Sequence, residues 1–587
     1  MFDTVIRGGT IVDGRGGVPY AGDIGIKDGT IAAIGMLTEP AREVIDASGA
    51  LVTPGFIDVH THYDGQFLWD DRLDPSFSHG VTTAIGGNCG VGFAPASDEH
   101  RRELIELMEG VEDIPGVVLE EGLDWNWKSF PDYLDRLAER QYTMDVAVQM
   151  THSPLRVFVM GERAVRHEDA TSDDITTMCD MLTEGMAAGA FGFSSARLVE
   201  HKSSKGAMVP GTFAADEELF ALAQTLGDCG RGMFQIIPRG AVGDLVKTGL
   251  SRAERLEEHR RMEEVARISG RPVMYSLFQV ATDPSDMAMM LQESQRANEQ
   301  GMALHPMITA RQIGMVHTLD SHHVFELKPG YQTIAHLPRA DRAAAMRDPA
   351  RRQAILSEAD DIAAYKGEAN MIGYLGRLQE NLANTYILAN SLDYEPGPER
   401  QLGSLAAAAN MSPEAWLYDH YAADDGSNCN ITFTTNYADG NLDHVFDELQ
   451  SPMIVSGGGD GGAHVRMICD ASLPTFQLAF WARDRQRGAR LAVESVIAKL
   501  TGEPAALYDM HDRGTLEVGK RADINVIDHA RLSVGNFYVA NDLPSGAGRL
   551  LQDSIGYQAT LVNGTVTRRD DRDTGARPGR LLRSTHY

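Results

Sequence analysis

The 587-residue chain is poor in cysteine, short of positive charge, and without a long apolar run. Its five cysteines, Cys89, Cys179, Cys229, Cys429 and Cys469, are odd in number and scattered, with no Cys-x-x-Cys pair. That excludes a disulfide framework and a finger-type structural zinc site. Lysine and arginine total 53 against 83 aspartates and glutamates, a formal net charge of −30. A surface of that sign repels phosphate backbones and anionic lipid, so neither nucleic acid nor membrane is an expected partner. The first ten residues lack a basic start followed by an apolar stretch, and no window of about 18 apolar residues occurs, so the expectation is a cytoplasmic protein. Apolar residues make up 43% of the chain, enough for one large domain with a smaller one.

What is present is organised around Gly55-Phe56-Ile57-Asp58-Val59-His60-Thr61-His62, an apolar run ending in two histidines spaced by one residue. Alternate side chains of a strand point the same way, so His60 and His62 project from one face, as two imidazoles on one metal ion require. Further strand-like runs follow at 81–86, 145–150, 190–193, 233–237, 272–276, 302–305 and 452–456. Amphipathic helical stretches separate several of them, for instance 175–188, 216–226 and 255–268. Eight strands alternating with helices give an α/β fold, expected as a (β/α)8 TIM-like barrel with its chemistry at the C-terminal strand ends.

Short strand-and-turn runs before residue 52 return after residue 506. Neither set buries a sheet face alone, so both termini are expected to build one small β-sandwich domain. The expected division is 1–52 and 506–568 for the sandwich, 53–505 for the barrel with a long insertion at about 307–450, and 569–587 as a tail. A second long connection, from 98 to about 140, is acidic and carries Trp125 and Trp127. Insertions of this size at a catalytic face shape a pocket or a subunit contact.

Three more residues fall at strand ends. Cys89 closes the second strand in Gly86-Gly87-Asn88-Cys89-Gly90, His152 ends the third, and Asp460 follows the last in Ser456-Gly457-Gly458-Gly459-Asp460-Gly461-Gly462-Ala463-His464. The bland readings are a small buried thiol, a core histidine and a turn aspartate. An aspartate set among so many glycines in a rim loop is hard to explain as structure alone.

On these residues, with Gly514-Thr515-Leu516-Glu517-Val518-Gly519-Lys520-Arg521-Ala522-Asp523 near the C-terminus, the chain resembles the metal-dependent amidohydrolase superfamily. Gly80-Val81-Thr82-Thr83 leading to Gly87-Asn88-Cys89-Gly90, and Gly189-Ala190-Phe191-Gly192-Phe193-Ser194, are similar to its N-acyl-D-amino-acid deacylase (D-aminoacylase-like) branch. The resemblance implies that His60, His62 and Asp460 hold a metal, with Cys89 as a thiolate in place of the carboxylated lysine of other branches. Zinc suits such a mixed N, O and S donor set. The branch also places one histidine on each of the fifth and sixth strands for a second metal, where this chain has Met233-Phe234-Gln235-Ile236-Ile237-Pro238 and Met274-Tyr275-Ser276-Leu277-Phe278-Gln279. One zinc per chain is therefore favoured, and two would need another histidine, such as His201, His305 or His322, to fold back.

The expected activity is zinc-dependent cleavage of a linear amide by metal-activated water, with Asp460 as general base and His152 steadying the oxyanion. The resemblance favours an N-acyl-D-amino acid or similar N-acyl compound, a small-molecule amide whose carboxylate needs a cation. Arg156, Arg239, Arg311 and Arg466 are candidates, with Gln235 and His305 as further substrate contacts. A different amide, aromatic or xenobiotic, is the alternative. A non-catalytic amidohydrolase-like scaffold is a further one, and it would have no use for both the histidine pair and the base. A homo-oligomer is expected.

Overall fold

The structure is a computed structural model and describes residues 1–242, 250–366, 371–388 and 392–587. All eight expected core strands form: Phe56–Asp58, Val81–Gly86, Asp145–Val148 with its continuation Met150–Thr151, Gly192–Ala196, Met233–Ile237, Val273–Ser276, Leu304–Ile308 and Val455–Ser456. They pair in parallel and in chain order. The first three form one sheet, and Met150–Thr151 through Val455–Ser456 form a second. Beyond the strand ends, Thr61 pairs with Gly461 in a parallel bridge, and the His62 amide donates to the Gly461 carbonyl at 2.7 Å. The continuation of the first strand therefore lies beside that of the last. Nearly every strand residue is buried, as expected of parallel strands covered on both faces.

The helices expected between strands span Ser172–Ala188, Asp216–Asp228 and Arg252–Ser269. The first and third start on reciprocal capping boxes, Thr171 with Asp174 and Ser251 with Glu254. Both stop at a left-handed glycine, Gly189 and Gly270, whose missing Cβ makes that backbone conformation inexpensive.

Both termini contribute to one nine-stranded sheet. The strand Phe2–Ile11 pairs with Tyr20–Lys27, with Ala41–Asp46 and, at its end, with Leu51–Pro54. Ile524–Ile527 from the C-terminal part then pairs with Leu51–Pro54, which joins the two halves. Ile6, Ile24, Val52, Ile524, Val526 and Leu561 pack into one buried cluster. Residues 569–587 do not hang free: Arg572–Asp573 extends the sheet, and Gly579 and Leu581 bridge to Tyr142 and Val146 beside the third core strand.

Core and terminal sheet are tied by a buried ion network. Arg513 reaches Asp145 at 2.7 Å and Asp523 at 3.4 Å, and Arg521 reaches the same two carboxylates at 2.9 and 3.2 Å. Between the seventh and eighth core strands the insertion forms a three-stranded antiparallel sheet, Gly314–His317, Cys429–Phe433 and Tyr386–Leu388, with helices that include Arg339–Met346, Pro349–Ser357 and Pro413–Ala422. It has its own core around Phe325, Tyr331, Met346 and Tyr418. The Val316 amide donates to the Met467 carbonyl at 2.8 Å, and Met371 packs with Met467 and Ile468, so the insertion abuts the loop that carries Asp460. Among the described residues no helix is long and apolar enough to cross a membrane.

Candidate metal centre

The alternation of the first strand carries past Asp58, so His60 and His62 both turn inward and are almost fully buried. Cys89 Sγ lies 3.3 Å from His60 Nε2 and 3.6 Å from His62 Nε2. Asp460 Oδ1 lies 3.4 and 3.8 Å from the same two nitrogens. Around a tetrahedral zinc with bonds near 2.0–2.1 Å to nitrogen and 2.3 Å to sulfur, neighbouring donors stand roughly 3.3–3.6 Å apart. The separations of Cys89 Sγ from the two ring nitrogens fit donors that share one ion, and Asp460 approaches the same two nitrogens from beside that group. Among the described residues His60, His62 and Cys89 are the one group of three potential ligands close enough together to do so.

The backbone is bent to bring them there. Cys89 and Asp460 both sit in the left-handed region, at φ 55° and 45°, which costs an L-residue roughly 1–2 kcal/mol. Strain of this kind is retained where the surrounding structure holds a side chain in place. A Cβ on Gly87 (φ 76°) would meet the Gln149 carbonyl at 2.1 Å, so only glycine lets the loop lie against the third strand. Gln235 Oε1 accepts from the Cys89 amide at 3.2 Å, and Ser194 Oγ accepts from the Gly90 amide at 3.1 Å. The fourth and fifth strands thereby fix the thiol.

Burial holds His60 down to about 3 and His62 well below its ordinary value, so both rings are neutral and offer a lone pair. Burial lifts Asp460 to about 8, with Asp470 and Asp58 adding to the shift. It also lifts the Cys89 thiol, helped by Glu112, Asp460 and Asp64. No lysine or arginine is among the groups that shift any of these. His60 Nδ1, His62 Nδ1, Asp64 Oδ2 and Glu112 Oε1 are buried without a hydrogen-bond partner. A thiol and several carboxylates buried together with no positive side chain are a donor set that a cation would neutralise. The residues present fit a metal ion. Asp460, with its side chain 17% exposed, is the most open of the four residues, so the cluster is nearest to solvent on its side.

Other residues singled out in the sequence have other surroundings. His152 begins the helix His152–Met160, and its ring bonds Ser195 Oγ at 2.9 Å and Glu218 Oε1 at 2.6 Å rather than any residue of the cluster. Arg156 pairs with the same Glu218 at 3.1 Å. Arg311 is buried against Asp470 at 2.7 Å, and Arg466 pairs with Asp113 at 2.6 Å. Arg239, just past the fifth strand, enters no ion pair among the described residues, and its Nε is buried without a partner.

His305 is a correction. Its strand runs Leu304–Ile308 rather than stopping at 305, so His305 lies near the N-terminal start of that strand, away from the C-terminal ends that carry the cluster. Its neighbours there are Met453 and Lys499. His322 contacts Glu326 in the insertion. Of the three histidines considered for a second metal, His201 alone is close enough to His60 and His62 to shift both. Trp127 is buried with Nε1 donating to the Phe93 carbonyl at 2.7 Å, and Trp125 stacks on it at 5.3 Å, so both are packing residues.

Glu112 was not legible in the sequence. It is the last residue of the helix Arg101–Glu112 in the acidic connection, and its Oε1 lies 3.3 Å from His62 Nδ1. His464, four residues after Asp460, has Nε2 at 3.8 Å from Glu112 Oε2.

The model of the amidohydrolase family called Amidohydro_3 matches residues 43–568. An N-acyl-D-aspartate deacylase of Alcaligenes xylosoxydans xylosoxydans is 27% identical over 586 residues, spanning 99% of this chain and 95% of that one. A D-aminoacylase structure determined to study the role of its binuclear metal centre superposes with a TM-score of 0.64 at 22% identity, covering 99% of this chain and all of that one. The N-acyl-D-glutamate deacylase of Bordetella bronchiseptica, solved with zinc and a phosphonate inhibitor, gives 0.63 at 24%, with 99% of each chain covered. At these identities the two structural likenesses speak to the fold alone.

Proposed function

The chain belongs to the amidohydrolase family and is a hydrolase of carbon–nitrogen bonds other than peptide bonds, and from that premise we propose a zinc-dependent hydrolase of linear amides that acts on N-acyl-D-amino acids or similar N-acyl compounds. The observation that carries this reading is that Cys89 Sγ and Asp460 Oδ1 each approach both His60 Nε2 and His62 Nε2, at 3.3–3.8 Å. The substrate class rests on the deacylase relatives. In this reading the two parallel sheets are one closed eight-stranded barrel. The Thr61–Gly461 bridge and the Phe191 amide bond to the Val148 carbonyl, at 2.9 Å, support that closure. The shared terminal sheet would be the smaller domain.

One zinc would be held by His60, His62, Cys89 and Asp460. When bound, the ion supplies Lewis acidity: it lowers the pKa of water toward about 7 and polarises a carbonyl oxygen. The chain's own residues do the rest. The neutral imidazoles leave the negative charge to Cys89 and Asp460, so the liganded set is electrically balanced. Asp460, the most exposed of the four residues, accepts the proton of the attacking water and returns it to the departing amine. Arg239, just past the fifth strand, is the cation for a substrate carboxylate in this reading; Arg156, Arg311 and Arg466 are paired with acids, and the charge of Arg239 also bears on Glu254. The Ser195–His152–Glu218 set serves the fold rather than the chemistry. A non-catalytic scaffold would have no reason to keep strained backbone at both Cys89 and Asp460.

The test is metal content and turnover of wild type and His60→Ala, assayed on paired N-acetyl-D- and N-acetyl-L-amino acids. The expected result is a metal-dependent preference for D substrates in wild type, and loss of zinc and turnover together in the variant with the fold intact. Turnover that survives both chelation and His60→Ala would overturn the reading.

A further inference from the structure

We propose that Glu112 is a positioning residue for the metal centre: it braces the His62 ring through Nδ1 and fastens the Asp460 loop to the end of its own helix. The affinity of the centre is then set partly by the 98–140 connection. The inference rests on the reading that His60, His62, Cys89 and Asp460 bind a metal.

Nothing in local chemistry favours an acid at this place. Glu112 ends a helix, where the unsatisfied carbonyls carry partial negative charge and cations rather than anions are stabilising. It is also 1% exposed, and among the described residues its side-chain ion pairs are to His62 and His464, with no lysine or arginine. Burying a carboxylate without a cation is costly. A purely structural role would be served better by an apolar side chain, like Leu107, Met108 and Val111 on the same helix.

What the carboxylate does touch is the centre. Its Oε1 lies 3.3 Å from His62 Nδ1, an ion-pair distance rather than an aligned hydrogen bond, and neither atom is hydrogen-bonded elsewhere. The other nitrogen of that ring, Nε2, is the one facing Cys89 and Asp460. An imidazole that ligates through one nitrogen carries its proton on the other, and a carboxylate there fixes both the tautomer and the ring plane. His60 has no such brace among the described residues, since its one ion pair is made through Nε2, to Asp460.

The same helix end grips the Asp460 loop. The peptide carbonyl of Glu112 accepts from the His464 amide, Glu112 Oε2 lies 3.8 Å from His464 Nε2, and Asp113, at a left-handed φ of 50°, pairs with Arg466 at 2.6 Å. Glu112 therefore stands between a ligand from the first strand and the loop that supplies the base.

The experiment compares full-length wild type, Glu112→Gln and Glu112→Leu for zinc affinity by chelator competition, for the thermal midpoint of the metal-free protein, and for the absorption spectrum after cobalt loading. Removing the partner of a ligating histidine weakens metal binding by about 10–100-fold. We expect Glu112→Leu near the upper end of that range and Glu112→Gln, whose amide oxygen still accepts, near the lower. The metal-free midpoint should stay level or rise, because a buried acid with no lysine or arginine partner is gone. Cobalt-loaded variants should keep the sulfur-to-cobalt band of Cys89 while their ligand-field bands move. Zinc affinity within threefold of wild type for both variants would overturn the proposal, as would a loss of affinity matched by a fall in the metal-free midpoint. His60→Ala measured in parallel separates the two readings: if it retains zinc, the centre itself is misassigned, whereas loss there with no effect at Glu112 overturns the positioning role alone.

Discussion

Asp460 is joined to His60 twice, by its amide donating to the His60 carbonyl at 3.2 Å and by its carboxylate 3.4 Å from the ring. The backbone bond places the loop independently of the charge on the side chain. Asp460→Asn should therefore keep the loop and part of the metal affinity while losing the proton acceptor, since an amide oxygen ligates weakly but is not basic at neutral pH. Turnover should fall at least about 10²-fold, the lower end for general base catalysis, with a smaller loss of zinc than in His60→Ala. Steady-state kinetics within a few fold of wild type would assign the base elsewhere.

Cys89→Ser keeps a side chain of similar size on the same left-handed backbone, with the Gln235 contact to its amide intact. If the thiol is only a small buried group, zinc affinity should not change. The expected outcome is weaker zinc binding with the metal-free melting temperature nearly unchanged, measured by chelator titration and thermal denaturation.

Arg513 is a test of how the core and the terminal sheet are held together. Its guanidinium is buried between Asp145 of the third core strand and Asp523 beside the sheet. Arg513→Met leaves those carboxylates with Arg521 alone, and breaking a buried pair from one side costs about 3–5 kcal/mol. Urea denaturation should show a loss of that order; a loss below about 1 kcal/mol would mean that Arg521 suffices.

His79 should impose an acid-side loss of stability. Its Nε2 donates to the Gln552 carbonyl at 2.8 Å and its Nδ1 accepts from Thr475 Oγ1 at 2.9 Å, with no acid beside it. Burial pulls its pKa down to about 3, against about 6.5 in an unfolded chain. Between those values the unfolded state takes up a proton that the native state refuses, so this contribution is complete above about pH 6.5 and is lost progressively as pH falls toward 3. His79→Gln should have a lower melting temperature at pH 7 and a shallower fall between pH 7 and 5 than wild type. Equal slopes would contradict the assignment.

The core strands were legible because parallel strands buried on both faces read as plain apolar runs, and the helices between them because their apolar periodicity is regular. The halves of the terminal sheet were legible as fragments too small to stand alone. His60, His62, Cys89 and Asp460 stood out because each follows a strand and lies in or near a glycine-rich turn. His305 was misplaced by a shift of a few residues: the apolar run at 302–305 set the strand there, yet the strand is Leu304–Ile308, which moves His305 to the opposite end. Glu112 and the pairing of Arg156, Arg311 and Arg466 could not be read, since each depends on a partner distant in the chain, as with Arg311 and Asp470, 159 residues apart.

The most direct test of the metal centre is the zinc-edge X-ray absorption spectrum of exhaustively dialysed wild-type protein, normalised to chain concentration. The expected result is about one zinc per chain, with one sulfur at about 2.3 Å and nitrogen and oxygen scatterers at about 2.0–2.1 Å, as His60, His62, Cys89 and Asp460 require. A shell without sulfur, or two zinc equivalents per chain, would contradict a single ion held by these four residues.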